Sequence, residues 1–186
     1  MARFEQQLKP FVALDFETAD YGRDSACAIG LVRVENNQIV KRVHALIRPP
    51  RQTFRFSYVH GIHWRDVADQ PTFGELWETL SSLIKGVDFI AAHNASFDRG
   101  VLYACCDTYG ISYPVQPFIC TVQLARKTWQ IYPTKLPDVC QRLDIDLLHH
   151  QALSDAEACA QIVMAANSEF RVLPAGLNGS KHKRNS

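Results

Sequence analysis

The sequence lacks the features of membrane, secreted and zinc-binding proteins. It contains no apolar run long enough to span a bilayer, and its first ten residues lack the apolar core of a secretory signal. The six cysteines include no CxxC pair and their spacings are irregular, which argues against a structural zinc site. We therefore expect a cytoplasmic protein with no membrane partner, whose cysteines are reduced and mostly buried.

A dominant charge of one sign is also absent, since the formal net charge is +1. This balance neither requires nor excludes a nucleic-acid partner, because clustered carboxylates can offset a local basic surface. The 186 residues fit one domain, and 47% of them are hydrophobic, which is enough to bury a core. We expect the domain to cover residues 1–173 and the polar, basic segment 174–186 to be a disordered tail.

The order of the apolar segments predicts an α/β domain with a mixed sheet. Three strand-like runs come first, at 11–16, 26–34 and 38–47, and Glu35–Asn37 has the composition of a hairpin turn between the last two. Proline and glycine interrupt the segment 48–72, which is expected to be irregular. The remaining predicted elements are a helix after Pro71, strands at 87–92 and 117–121, and helices at about 96–109, 121–130, 134–143 and 152–166.

The segment Asp15-Phe16-Glu17 ends the first predicted strand. Because side chains alternate across a strand, Asp15 and Glu17 should share one face while Phe16 points to the other. Two adjacent carboxylates repel each other, and a divalent cation would remove that cost. For this segment alone, a solvated strand end with two surface acids is an equally simple interpretation.

The segment His93–Asp98 directly follows the strand at 87–92. Sheets of this kind bind ligands at the carboxyl ends of their strands, so Asn94 would contact substrate and Asp98 would deliver a third carboxylate to the same edge. The structural alternatives are that Asn94 or Ser96 caps the following helix and that Asp98 complements its dipole.

His150 and Asp155 open the last predicted helix, with His150 at its start and Asp155 about one turn inside. A histidine that titrates near neutral pH beside clustered carboxylates is a natural general base. Their structural alternatives are an ordinary capping or surface histidine and an acid that complements the helix dipole.

The three segments share an order: Asp-x-Glu ends an early strand, Asn-x-x-Phe-Asp follows a later strand, and His-x4-Asp opens a late helix. In this order they closely resemble the DEDDh branch of the DnaQ-like 3′-5′ exonucleases, over about residues 10–167. The resemblance implies an RNase H-like fold, an α/β fold whose five-stranded mixed sheet has its second strand antiparallel to the others and is flanked by helices. The residues that carry it are Asp15, Glu17, Asp98, His150 and Asp155.

The resemblance also implies catalysis with two divalent cations. Ligation by oxygen without cysteine suits Mg²⁺ or Mn²⁺. By the family pattern Asp15, Glu17 and Asp155 hold the first cation, Asp15 also bridges to the second, and Asp98 acts largely through water. The product would be a nucleoside 5′-monophosphate.

The family pattern makes His150 the base that takes the proton of the attacking water, with His149 as the alternative. Glu17 and the backbone at Thr18 and Ala19 are expected to receive the terminal 3′-OH, which would enforce attack at the chain end.

Three further features predict substrate contacts. Phe97 is expected either to pack against the terminal base of the substrate or to lie in the core. His60 is expected either to line the nucleotide pocket or to bond backbone groups within its loop. In the loop 48–64, Arg51 and Arg55 are among the cations that alternate with aromatic rings, as single strands require. The alternative is a solvated loop whose rings pack inward.

We therefore expect hydrolysis from the 3′ end of single-stranded nucleic acid, with DNA favoured. The alternatives are an exoribonuclease of the RNase T or oligoribonuclease type and a polymerase-associated proofreading subunit. The sequence leaves a homodimer and an association with a polymerase equally open.

Overall fold

A five-stranded mixed sheet forms the centre of the computed structural model, which describes residues 8–172 and their side chains as far as residue 169. The strand order is β3-β2-β1-β4-β5, in which β2 is antiparallel to β1 and β3, while β1, β4 and β5 are parallel. This confirms the predicted fold, including the antiparallel second strand. The strands are β1 (Phe11–Thr18), β2 (Ala26–Glu35), β3 (Gln38–Leu46), β4 (Phe89–Ala92) and β5 (Phe118–Cys120).

Helices lie on both faces of the sheet. Most match their predicted positions, although the last one continues to Val172, beyond the expected end at 166. The segment 48–72 is not wholly irregular, because it contains two helices of four residues each, which are too short to show an apolar period. The helices within residues 8–172 are α1 (Ser57–His60), α2 (Trp64–Val67), α3 (Phe73–Ile84), α4 (Ala95–Thr108), α5 (Thr121–Trp129), α6 (Leu136–Leu143) and α7 (Ala152–Val172).

The alternation of side chains along β1 divides the interior into two cores. Leu14 and Phe16 pack with residues of α3 and α4, whereas Phe11 and Ala13 pack with residues of α5, α6 and α7. Asp15 and Glu17 continue the row of Phe11 and Ala13. The two acids therefore reach the end of the strand on the face that α7 covers.

The start of α7 lies unusually close to the sheet. Gly30 of β2 pairs with Asp15 of β1, and a Cβ added to Gly30 would lie 2.1 Å from the carbonyl oxygen of Ala152. Ala156, one turn further along the helix, is fully buried. The small residues on both elements thus allow α7 to bring Asp155 up to the end of β1.

The hairpin between β2 and β3 turns through Asn36 and Asn37, whose φ angles are 52° and 62°. Positive φ at both central residues is the backbone of a type I′ turn, and asparagine is favoured there. The predicted hairpin is confirmed.

Two expectations concern the limits of the chain. The predicted tail 174–186 lies outside the described residues, and the domain boundary at 173 stays a prediction. Among residues 8–172, none of the helices combines the length and the apolar character that crossing a membrane requires.

Candidate active site

The ends of β1 and α7 bring three carboxylates together. One oxygen from each of Asp15, Glu17 and Asp155 lies within 4.8 Å of the others. Glu17 and Asp155 are buried, and Oδ1 of Asp155 has no hydrogen-bond partner among the described residues. Converging acidic oxygens with an unpartnered buried member fit a divalent cation, which would supply the missing partner.

Asp98 lies beside this set rather than within it. It occupies the first turn of α4, is buried, and its Oδ1 accepts a hydrogen bond of 3.2 Å from the backbone N–H of Phe16. Its position is therefore compatible with both interpretations, an acid that complements the helix dipole and a third carboxylate at the edge of the sheet. The charge of Asp98 nevertheless acts on the set, because it helps to raise the pKa of Asp15.

The four carboxylates oppose one another's ionisation. Burial, followed by the charge of Asp155, raises the pKa of Glu17 to about 7. Burial also raises the pKa of Asp98 to about 7 and is the main cause of the raised pKa of Asp155. The pKa of Asp15 lies well above its usual range, first through burial and then through the charges of Asp98 and Asp155. A bound cation would reverse this bias toward the protonated forms.

Two adjacent histidines border the carboxylates. The His149 ring donates from Nδ1 to Oδ2 of Asp155 at 2.9 Å, and the backbone N–H of His150 donates to the same oxygen at 3.2 Å. The two rings stack with centroids 3.8 Å apart. His150 has a φ of 65°, a left-handed conformation that non-glycine residues rarely adopt.

The two histidines differ in how their rings are engaged. The His149 ring is bonded to Asp155, whereas the described hydrogen bond of His150 uses its backbone. Burial and the neighbouring His149 lower the pKa of His150, which favours a neutral ring able to accept a proton. His150 also lines both cavities that meet at Glu17.

A cleft of about 760 Å³ opens above the carboxylates. Its lining includes the acids Asp15 and Glu17 together with the cations Arg126 and Lys135. Sequence reasoning missed these two cations. The available signal was weak, because helical spacing shows which residues share a face of α5 but not what that face meets.

His93 connects the elements around this cleft. Its ring bonds the hydroxyl of Thr121 at 2.9 Å and the carbonyl of Thr134 at 3.0 Å. Arg126 donates from Nε to the hydroxyl of Thr134 at 2.9 Å. The histidine thus joins the end of β4 to the start of α5 and to the segment before α6.

The backbone near Glu17 is only partly available to a substrate. The N–H of Ala19 donates to the carbonyl of Ser25 at 2.8 Å, and the carbonyl of Ala19 accepts from the N–H of Arg55 at 2.6 Å. Because the loop between β1 and β2 uses both groups, the predicted contact between the Ala19 backbone and the terminal 3′-OH stays a prediction that this geometry disfavours. Glu17 and Thr18 keep their positions at the edge of the site.

His60 matches the loop interpretation and also lies at the site. Its Nε2 donates to the carbonyl of Thr18 at 3.2 Å, and its Nδ1 accepts from the N–H of Ile62 at 3.1 Å. It lines a second cavity of about 390 Å³ together with Glu17 and His150. His60 is therefore satisfied by the backbone while it faces the pocket.

Asn94 and Phe97 also face outward. Asn94 is the N-cap residue of α4, but its side chain makes no capping bond and instead accepts from the Ser96 hydroxyl at 3.2 Å. It lines the cleft. Phe97 is 39% exposed, which excludes the predicted alternative of a core position.

The Arg51 side chain is bound by two carboxylates of the protein itself. Its guanidinium bonds both carboxylate oxygens of Asp20 and both of Asp24, at 2.7–2.8 Å. These pairs lower the pKa of Asp20 and of Asp24. This arginine holds the loop between β1 and β2, and its predicted phosphate contact stays a prediction that these pairs disfavour.

The aromatic residues of the loop 48–64 divide between the two interpretations. Trp64 packs on Phe54 with ring centroids 6.5 Å apart, within a small apolar cluster, so it is an inward-facing ring. Tyr58 is 84% exposed and remains available for stacking. Arg55 is exposed as well and remains a candidate contact.

Comparisons with known proteins agree with this geometry. Residues 12–163 match the family model of the RNase T exonucleases. The chain is 31% identical over 159 residues to the PolC-type DNA polymerase III of Thermotoga petrophila, covering 83% of this chain but only 12% of that protein. It is 29% identical over 170 residues to the DNA polymerase III epsilon subunit of Escherichia coli, covering 83% of this chain and 70% of that subunit.

The fold has a solved counterpart as well. The structure of exonuclease X in complex with 5′-overhanging duplex DNA superposes with a TM-score of 0.69 at 25% identity, covering 85% of this chain and 91% of that one. Together with the family match, which spans β1 to α7, this places the carboxylate motifs in a known fold. The chain therefore belongs to the RNase T exonuclease family, within the DnaQ-like DEDDh superfamily of 3′-5′ exonucleases.

Proposed function

We propose that the protein removes nucleotides one at a time from the 3′ end of single-stranded nucleic acid, with DNA favoured, and releases nucleoside 5′-monophosphates. The observation that carries this proposal is the convergence of Asp15, Glu17 and Asp155 beside His150 in one open cleft. Two relatives named as parts of DNA polymerase III support the preference for DNA.

The carboxylates are the proposed ligands of two divalent cations, Mg²⁺ or Mn²⁺. Asp15, Glu17 and Asp155 would hold the first, and Asp15 and Asp98 would serve the second. When bound, such cations supply charge neutralisation at the phosphate and lower the pKa of the attacking water. The unpartnered Oδ1 of Asp155 and the acid-only composition of the set fit these hard ions.

His150 is the proposed general base. Its ring lines the cleft, and its lowered pKa keeps the ring neutral and ready to accept a proton at pH 7. His149 is the proposed positioning residue, because its hydrogen bond of 2.9 Å holds Oδ2 of Asp155 and leaves Oδ1 to face the site.

Substrate contacts are proposed on both sides of these groups. Glu17 and Thr18 would receive the terminal 3′-OH, and Phe97 offers an exposed ring for a base. Arg126 and Lys135 would bind phosphates that do not react, since they bring positive charge into the same cleft.

A labelled-substrate assay tests the proposal. The full chain would be incubated with 5′-labelled single-stranded DNA, RNA of the same sequence and duplex DNA, with Mg²⁺ or Mn²⁺. We expect a ladder that shortens from the 3′ end in single-nucleotide steps, fastest on single-stranded DNA, and no cleavage in excess chelator. Asp15→Ala, purified in parallel, controls for contaminating nuclease.

Three results would contradict parts of the proposal. Full activity in chelator would exclude the metal-dependent mechanism, and release of short 5′ fragments first would exclude the direction. Faster shortening of RNA would replace the DNA preference with the exoribonuclease alternative.

The relatives also favour a proofreading role in association with a polymerase, because one is named as a PolC-type DNA polymerase III and the other as the epsilon subunit of DNA polymerase III. A primer–template with a mismatched 3′ end, compared with a matched one, tests this role. Faster removal of the mismatched nucleotide is the expected result, and equal rates would contradict it.

A further inference from the structure

A second set of ligand atoms lies next to the carboxylates and has a different chemistry. One ring nitrogen each from His149 and His150 and one oxygen of Asp155 lie within 4.8 Å of one another. Asp155 is the only member that this trio shares with the set of Asp15 and Glu17, among the residues that the structure describes. The trio therefore offers two imidazoles and one carboxylate at the edge of the cleft.

One pair of ligand atoms in the trio lies near the spacing that a tetrahedral metal site requires. Ligand atoms on a zinc ion lie about 3.3 Å apart, given Zn–N and Zn–O distances of about 2.0–2.2 Å. Nδ1 of His149 and Oδ2 of Asp155 are already 2.9 Å apart. Both histidines are exposed, so their rings can turn to close the remaining gap without disturbing the core.

Two features of these residues are compatible with a cation bound beside them. The backbone of His150 is held at a φ of 65°, which places two consecutive imidazoles on the same side of the chain, with their rings stacked. Oδ1 of Asp155 is buried without a hydrogen-bond partner among the described residues. A cation between the rings and this carboxylate would use both features.

We propose that His149, His150 and Asp155 form a binding site for Zn²⁺ that shares only Asp155 with the proposed Mg²⁺ or Mn²⁺ site. Zinc favours imidazole nitrogen, whereas magnesium favours oxygen alone, so the two ligand sets discriminate between the ions. On binding, the neutral His149 ring changes tautomer: Nδ1 gives up to solvent the proton that it now donates to Asp155, Nε2 takes one up from solvent, and the Nδ1 lone pair coordinates the ion.

Zinc in this site is an inhibitor, an inference that rests on the proposed function. The ion takes the nitrogen lone pair of His150, which is then unable to accept a proton from water. It also takes Asp155 away from the carboxylate set. Inhibition should therefore be reversible and should weaken as Mg²⁺ is raised.

Zinc binding to the full chain, without magnesium or nucleic acid, tests the site directly. Competition with a chromophoric zinc indicator gives the Kd of wild type, His149→Gln and the matched control His63→Gln. His63 is an exposed histidine outside the trio. We expect His149→Gln to raise the Kd at least about tenfold and the control to leave it unchanged.

The variant Asp15→Asn distinguishes zinc binding by the trio from zinc binding by the carboxylate set, because Asp15 belongs only to the carboxylate set. It should change the Zn²⁺ Kd by less than about threefold and abolish the thermal stabilisation by Mg²⁺. Thermal melts without metal establish that each variant is folded, and His150→Gln provides a second imidazole variant with the same expected loss. The inference is overturned if both histidine variants bind zinc like wild type, or if Asp15→Asn weakens zinc binding as much as they do.

The nuclease assay then tests the inhibitory consequence. Zinc added at its measured Kd should halve turnover on single-stranded DNA in limiting Mg²⁺, and a zinc-selective chelator should restore it. Unchanged turnover at saturating zinc would overturn the inhibition. Because the binding experiment needs no nuclease activity, a protein that cleaves nothing would contradict only the proposed function.

Discussion

At the scale of single residues, the two oxygens of Asp155 have different surroundings. Oδ2 accepts two hydrogen bonds, from the ring of His149 and from the backbone of His150, while Oδ1 has no partner among the described residues. Hydrogen bonds to one oxygen fix the orientation of the whole carboxylate. The neighbouring histidines thus aim the free oxygen at the site.

The roles of the two histidines predict different losses. His150→Ala should lower kcat by about 10²–10⁴-fold, the usual cost of removing a general base, with little change in nucleic-acid binding. His149→Ala should mainly weaken activation by Mg²⁺, because it frees Asp155 to rotate. Steady-state kinetics against Mg²⁺ concentration measures both effects. A larger kcat loss for His149→Ala than for His150→Ala would reverse the assignment.

Arg126 and Arg51 form a matched pair of arginines with opposite expected effects. Arg126→Gln removes a charge from the cleft but keeps a donor for Thr134, so KM should rise about tenfold and the salt dependence of KM should weaken by about one charge. Arg51→Gln breaks the pairs with Asp20 and Asp24, so Tm should fall by about 2–4 °C at nearly constant KM.

The two measurements are KM at several salt concentrations and a thermal melt for each variant. Equal KM for Arg126→Gln and wild type would show that substrate phosphates do not contact that wall of the cleft. A raised KM for Arg51→Gln with unchanged Tm would restore the prediction made from the loop sequence.

At the scale of elements, the site depends on how closely α7 lies on the sheet. Gly30 and Ala152 leave no space for a side chain between β2 and the start of the helix. His150 and Asp155 flank this contact along the chain. The position of the helix therefore sets the distance between Asp155 and the acids of β1.

Gly30→Ala should damage both stability and catalysis. The added Cβ would lie 2.1 Å from the carbonyl oxygen of Ala152, so the start of α7 must move away from β2. Overpacking of this kind costs about 1–3 kcal/mol of the free energy of unfolding, and kcat should fall because Asp155 moves with the helix. Chemical denaturation and kinetics with Mg²⁺ measure the two effects.

Gly100→Ala is the matched control. There an added Cβ would meet the flexible guanidinium end of Arg23 rather than backbone, and alanine favours the interior of α4. Stability should be unchanged or slightly higher. If Gly30→Ala behaved like this control, the close approach of α7 would not govern the site.

At the scale of the whole molecule, the buried carboxylates place a pH-dependent cost on the metal-free fold. The folded pKa values of Glu17 and Asp98, about 7, lie above the ordinary values of 4.5 and 3.8. As the pH rises between these two sets of values, the unfolded chain loses these protons at lower pH than the folded chain does. The free energy of unfolding therefore falls as pH rises from about 4 to about 7, and the loss is complete above pH 7.

Glu17→Gln should relieve part of this cost. Without metal, its Tm should exceed that of wild type by more at pH 8 than at pH 5, because the repulsion that it removes exists only when the acid is ionised. For the same reason Mg²⁺ should stabilise wild type more at pH 8. Glu78→Gln, an exposed acid on α3, is the control. The same Tm difference for Glu17→Gln at both pH values would contradict the electrostatic explanation.

The local pattern of the sequence was sufficient for several features. Alternation along β1 placed Asp15 and Glu17 on one face, and the segment with the paired asparagines predicted the hairpin. The resemblance of three motifs implied a five-stranded mixed sheet with an antiparallel second strand. These features depend on neighbours in the chain, whose geometry is set by backbone periods of 2 and 3.6 residues.

Contacts between distant segments were decided only by the tertiary structure. The sequence around Arg51 predicted a phosphate ligand, but in the structure the guanidinium binds Asp20 and Asp24. Arg126 lines the cleft because of the position of α5 and its hydrogen bond to Thr134. An arginine that binds carboxylates of its own chain and one that lines a cleft have the same local sequence signal. Its role depends on which charges packing brings within about 3 Å, and the order of residues along the chain does not contain that distance.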